Sequence, residues 1–240
     1  MPRAGLTPAA VISAALAVVD ARGPGALTLA AVADRTGVAA PSLYKHVASL
    51  SALRDLVAVQ IYDELAARLT AAALGRSGDA ALFALAEAYQ TYAEQHPHRY
   101  ALMPQTPPVP RFAASGAARA CASDAGAAGP SSSGIMGPAA AAAGAAGAGA
   151  DSVAAAGARV VSVFYAVLAG FRLADDDLVH AARGLRAALH GFALLSCGGG
   201  FGLPVDAAES RRRLVATIVA GLRVVHRPDF LSAPASSISG

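Results

Sequence analysis

Thr28-Leu29-Ala30-Ala31-Val32-Ala33-Asp34-Arg35-Thr36-Gly37-Val38-Ala39-Ala40-Pro41-Ser42-Leu43-Tyr44-Lys45-His46-Val47 carries, in order, the start of one helix, its end, and the start of a second. The Thr28 hydroxyl can accept a hydrogen bond from a backbone N–H that the first helical turn leaves without a partner. Leu29, Val32 and Ala33 follow as an apolar stripe at helical spacing. Gly37 stops that helix, because the residue after a helix end often takes positive φ, where glycine has no Cβ to clash. Val38 fills the corner. Pro41 suits only the first turn of a helix, having no N–H to donate and a φ already helical, which predicts a second helix over Ala40–Val47. Leu43 and Val47, four apart, turn inward, leaving Ala40, Pro41, Ser42, Tyr44, Lys45 and His46 on outward or flanking surfaces. Two short helices about a glycine turn make a helix-turn-helix, a unit that enters the DNA major groove by the N-terminal part of its second helix.

Gly37-Val38, Pro41-Ser42-Leu43-Tyr44 and His46-Val47, followed by Leu53 in a long helix, resemble the TetR family of transcriptional regulators over about residues 7–60. Thr7-Pro8, a cap with proline at the first helical position, and the stripe Ile12, Leu16 and Val19 fit as its N-terminal helix. The resemblance implies an all-α fold with a DNA-binding headpiece over residues 1–50 and a helical regulatory and dimerisation body over 51–240. It implies that Ala40, Pro41 and Ser42 lie over base edges, with Ala39 also a DNA-binding candidate, that Tyr44 and His46 approach phosphates with Lys45 beside them, and that Thr28 sits near the DNA backbone. Phosphate contacts position such a protein, whereas base edges specify sequence. The chain departs from the family at Leu50, where relatives often have lysine, and at Ala30 and Ala40, where polar or basic readers occur. Direct readout is then sparse, resting on Ser42 and on alanine methyls against thymine, with DNA shape supplying the rest. The competing reading is an ordinary Ala-rich helical pair with Tyr44 and His46 as surface residues.

The 240 residues suffice for a headpiece and a larger body. A net charge of +3 is compatible with nucleic acid without requiring it, and Lys45 is the only lysine among 19 basic residues. Cys121 and Cys197 give neither a disulfide framework nor metal spacing, so a reducing cytoplasm is expected. Met1–Gly5 runs directly into a capped helix, and no signal peptide is expected. The apolar stretch Val153–Phe171 is interrupted by Arg159, and a membrane span needs roughly 20 apolar residues, so it reads as a core helix and no membrane partner is expected.

In the body, a helix over about Ser51–Ala73 carries the stripe Leu53, Leu56, Val57, Ile61, Leu65 and Leu69. Asp79 is expected to cap the next helix, with Leu82, Leu85, Ala86 and Tyr89 on one face and Pro97 ending it. Residues 104–150, rich in Pro, Ser, Gly and Ala, read as a low-complexity insertion, the alternative being a partly helical segment around Ala139–Ala148. Order is expected from about Ser152. Asp175-Asp176-Asp177 favours a helix N-terminus, and Asp206 with Glu209 resembles a capping box. Leu178, Ala182, Leu185, Leu189, Phe192 and Ser196 form one helical stripe, and Leu214, Ile218, Leu222 and Val225 another. Two such helices can pair with a second copy as a four-helix interface, for which Leu185, Leu189, Phe192, Leu214, Ile218 and Leu222 are the candidates. The TetR family commonly dimerises this way, and one subfamily is named for a Trp-His-Gly motif that Leu189-His190-Gly191 resembles. His190 is then either a packing residue or a polar group in a cavity.

No catalytic or cofactor constellation stands out. Gly198-Gly199-Gly200-Phe201-Gly202 follows a helix rather than a strand, no Gly-x-Ser-x-Gly elbow is present, and His96 with His98 lacks further metal ligands at the right spacing. Arg211-Arg212-Arg213 reads as a solvated face. The reading is a homodimeric repressor on a double-stranded operator, with no cofactor and with a small apolar effector whose candidate pocket residues are Tyr89, Tyr92, Tyr100, Phe164, Tyr165 and His190. The alternatives are a constitutive DNA-binding regulator without effector, or a helical small-molecule enzyme or carrier.

Overall fold

Threonine and serine hydroxyls open three of the first four α-helices. The structure, a computed structural model, describes residues 6–103 and 138–225. The Thr7 hydroxyl accepts from the Ala10 N–H at 3.2 Å ahead of α1 (Pro8–Arg22), and the Thr28 hydroxyl accepts from the Ala31 N–H at 3.1 Å ahead of α2 (Leu29–Thr36). Gly37 closes α2 in the left-handed region at φ 68° and ψ 26°, and the Val38 N–H returns to the Ala33 carbonyl at 3.2 Å. The next helix, α3 (Ala40–Leu43), is shorter than its expected extent to Val47. Tyr44–His46 form a turn instead, in which the His46 and Val47 N–H groups both bond to the Leu43 carbonyl at 2.8 and 3.0 Å. The cause lies downstream. Ser49 caps α4 (Leu50–Ala73) through the Ala52 N–H at 3.0 Å, so the chain must turn between Leu43 and Ser49.

The body comprises α5 (Gly78–Gln95), α6 (Pro97–Leu102), α7 (Pro138–Leu168), α8 (Asp175–Cys197) and α9 (Ala207–Val225), with no strand among the described residues. Asp79 does not cap α5: Ser77 holds that position, and Asp79 instead pairs with Arg223 of α9 at 2.5 Å. Pro97 ends α5 and at once opens α6, since its missing N–H costs nothing in a first turn. Helix α7 begins at Pro138, well before Ser152, although residues 104–137 of the expected insertion, with Cys121, lie outside the described residues. Tertiary packing overrides the poor local propensity of its glycines. The helix lies along α4 so closely that a Cβ on Gly149 would collide with the Asp55 carboxyl group.

Leu53, Val57, Ile61, Leu65 and Leu69 of α4 pack into one core with Leu82 and Leu85 of α5 and Phe164 and Leu168 of α7. Each such side chain contributes about 1.5–3 kcal/mol on burial. Leu56 leaves the expected stripe and is exposed, and Ile12 is only half-buried. Gly149–Phe171 is long and apolar enough by composition to cross a membrane, yet it buries Val153, Ala156, Val160, Phe164, Val167 and Leu168 inside the fold, as a core helix does. On α9, Asp206 caps through the Ala208 N–H at 2.9 Å, while Glu209 turns to Arg212 and Arg213 rather than closing a capping box. Arg211 departs from the solvated run: it is buried and ion-paired to Glu87 of α5.

Candidate functional site

The outward face of the headpiece is held from behind by Val32, Ala33, Leu43 and Val47, all buried. Thr28, Ala39, Pro41, Tyr44 and Lys45 are exposed on it, and Ala40, Ser42 and His46 are half-buried. Tyr44 is 58% exposed, too much for a tyrosine that only fills a core. Arg22, Arg35 and Arg54, none of them a signature residue of the helix-turn-helix, are exposed in the last turns of α1 and α2 and the first turns of α4 with no ion pair among the described residues. Arg54 stands one helical turn beyond Leu50, a spacing that could have found it.

In the body, a cavity of about 250 Å³ opens between α7 and α8, with Phe164, Tyr165, Arg186 and His190 on its wall. A recess of about 20 Å³ adjoins it beside Tyr62 and Tyr89 and shares Phe164, Arg186 and His190. Tyr100 is buried behind His190 and its hydroxyl is hydrogen-bonded to His190 Nδ1, and the Tyr89 hydroxyl stands 3.1 Å from the Tyr100 oxygen. The Tyr89 ring meets Tyr100 and Phe164 edge-on, with centroids 6.0 and 6.1 Å apart. Burial pushes the Tyr89 and Tyr100 phenols up, so both stay protonated donors. Burial, assisted by the Arg186 charge, holds His190 below its ordinary range, so the imidazole is neutral near pH 7 and can accept at Nδ1.

Five of the six expected cavity residues therefore come together, and Tyr92 does not. Its hydroxyl donates toward the Ile61 carbonyl at 3.4 Å and its ring packs on His96, because it faces α4 rather than α8. Tyr62, Arg183 and Arg186 were not foreseen. Arg183 and Arg186 precede His190 by seven and four residues, the spacing of one helix face.

Helix α6 touches this cluster and the headpiece at once. Tyr100 reaches His190, and the preceding Arg99 donates to both Asp20 oxygens of α1 at 2.7 and 2.6 Å and to Glu64 of α4 at 2.7 Å. His98 Nδ1–H donates to the Asp20 carbonyl at 3.0 Å, while His96 sits 3.1 Å from Arg68, so the two histidines serve different partners. The Arg99 guanidinium holds the Asp20 carboxyl below its usual range.

The expected dimer residues divide. Leu185, Leu189 and Leu222 face the chain's own core and are lost as interface candidates, because the inward stripe of α8 is consumed by packing on α5 and α7, and that of α9 by packing on α5 and α8. Phe192, Leu214 and Ile218 remain half-buried at the edge of an outer face. On that face a Cβ added at Gly184, Gly191 or Gly221 would meet nothing, and Leu194 and Leu195 are exposed.

Comparison with known proteins agrees with this layout. Residues 11–54 match the family described as bacterial regulatory proteins, tetR family, and residues 135–218 match the tetracyclin repressor-like C-terminal domain, together more than half of the chain. The chain belongs to the TetR family. The HTH-type transcriptional regulator Rv0681 of Mycobacterium tuberculosis is 36% identical over 104 residues, covering 43% of this chain and 48% of the relative. The TetR chain spans about half the length of the curated relatives it matches. A protein of unknown function from Rhodococcus sp. RHA1 shares the fold at 21% identity and a TM-score of 0.66, over 92% of this chain and 98% of that one. A TetR from Acinetobacter baumannii AYE, solved with minocycline, shares it at 17% identity and a TM-score of 0.58, over 93% and 99%.

Proposed function

We propose that this TetR-family chain is a dimeric, DNA-binding transcriptional repressor that a small effector in the body cavity releases from a near-palindromic operator. The observation that carries the DNA-binding part is the headpiece itself, in which a capped α2, a left-handed Gly37 and a buried Leu43–Val47 pair hold Tyr44, Lys45, Ser42 and Pro41 outward. Lys45, Arg35 and Arg54 supply cationic reach toward phosphates, and Ser42 supplies a hydroxyl for a base edge. The outer face of α8 and α9 pairs with a second copy, setting the two α3 segments about 34–36 Å apart, one turn of duplex.

Release works through α6. An effector that displaces His190 also displaces Tyr100, and because Arg99 is the next residue, the shift reaches Asp20 in the headpiece. The effector weakens operator binding only by its differential affinity for the two arrangements. That the Acinetobacter TetR of this fold was solved in complex with minocycline supports a small-molecule effector. The proposed role is regulatory rather than enzymatic and is carried out on duplex DNA in the cytoplasm.

A mobility-shift assay on duplex from the region upstream of its own gene tests this reading. The wild-type chain is expected to shift that duplex specifically, and Tyr44→Ala to weaken the complex by roughly tenfold, about 1.4 kcal/mol. Absent binding, or equal binding by both proteins, overturns it.

A further inference from the structure

The body cavity is apolar on one wall and cationic on the other. Val161, Phe164 and Ala182 make the first, and Arg186, with Arg183 at the exposed mouth, makes the second. Elsewhere in the fold, four guanidinium groups that cross between helices meet carboxylates, Arg99 with Asp20, Arg159 with Asp63, Arg211 with Glu87 and Arg223 with Asp79, while Arg68 meets the neutral Gln95 and His96. Among the described residues no carboxylate stands in ion-pairing range of Arg183 or Arg186, and no acidic side chain lines the cavity or its recess. A half-buried guanidinium has lost part of its hydration, so a ligand anion there would offset a cost that the fold alone leaves standing. Its planar fork also matches a carboxylate with two parallel hydrogen bonds, a geometry that an alcohol or amide cannot reproduce.

We propose that the effector of this cavity is a carboxylate with a compact apolar body, the carboxylate held by the fork of Arg186 and the body lodged against Phe164 and Val161. The proposal rests on the reading of the cavity as an effector site. Burial pushes the Tyr62 phenol up to about 12 and the Tyr89 phenol up as well, so neither adds a negative charge that would compete for Arg186. A volume of about 250 Å³ admits a single-ring or branched acid better than a long acyl chain.

Matched pairs test it on the full chain by calorimetric titration and thermal shift: phenylacetate against phenylacetamide, and cyclohexanecarboxylate against its amide. Each acid is expected to bind at least about tenfold more tightly than its amide, and Arg186→Met to abolish that preference while leaving amide binding in place. Should Arg186→Met not fold, the acid–amide contrast in the wild-type chain, with Arg186→Lys retaining only part of it, carries the test. Equal binding of acid and amide by the wild-type chain overturns the carboxylate assignment but leaves the effector site standing. If neither member of either pair binds, the effector reading fails and the carboxylate assignment fails with it.

Discussion

Replacing Arg99 with methionine removes a side chain that ties α6 to both α1 and α4. Its guanidinium makes three charge-assisted hydrogen bonds, two to Asp20 and one to Glu64, at 2.6 to 2.7 Å. Arg99 is 17% exposed, but Asp20 and Glu64 are 38% and 27% exposed, so solvent screens part of the attraction. A hydrogen bond to a charged group is worth about 1.5–3 kcal/mol, and three of them discounted for that exposure give about 2 kcal/mol in all. Arg159 and Asp63 make an ion pair of similar length at 50% and 41% exposure, and Arg159→Met is expected to cost no more than about 0.5 kcal/mol. Urea unfolding of the two variants beside the wild type measures both. The thermal midpoint should fall by roughly 4–8 °C for Arg99→Met and by a degree or two for Arg159→Met. An Arg99→Met variant as stable as Arg159→Met would refute the reasoning that burial and bidentate geometry make this pair matter.

Gly37→Ala forces a Cβ into the left-handed region at φ 68° and should cost about 1–2 kcal/mol, read by denaturant midpoint, although the space around it is open. Acid should destabilise the wild type in steps whose order follows from proton binding. His190 is depressed in the fold, so the unfolded chain takes up a proton first as pH falls below about 6.5, and stability drops from there toward the folded value. His96, depressed by burial and Arg99, adds to the same step, whereas Asp20 contributes stability that persists to lower pH because its carboxyl is held below 3.8. His190→Gln should shrink the step near pH 6 in a pH series of melting curves; an unchanged step would remove His190 from this account. Leu195→Asp, on an exposed position of α8, should leave the melting of the monomer unchanged and shift sedimentation from dimer to monomer.

What could be read from residues alone was what local hydrogen bonding decides. Thr7, Thr28 and Gly37 do in the fold what their side chains, or the lack of one, dictate within four residues of themselves. The length of α3 was not legible at Pro41, because it is set by the Ser49 cap that begins the next helix. Residues 138–150 read as too rich in glycine for a helix, at a cost of roughly 1 kcal/mol per glycine, yet α7 runs through them and meets α4 at Gly149, beside Asp55. Periodicity finds the stripes of α8 and α9 but cannot say which neighbour they face: Leu185 and Leu189 meet α5 and α7 of the same chain, and Leu222 meets α5 and α8, rather than a second copy. Aromatic residues marked the cavity with one miss at Tyr92, whereas its arginines were overlooked because a basic residue on a helix ordinarily faces water.

Selection of bound duplexes from a random-sequence DNA pool by the full chain bears most directly on the claim that this headpiece reads DNA as a symmetric pair. The account predicts enrichment of two inverted half-sites with centres about 10–10.5 base pairs, or a multiple of that, apart, and loss of the enrichment with Tyr44→Ala. A pool that stays random after repeated rounds, or one enriched equally by Tyr44→Ala, would contradict it.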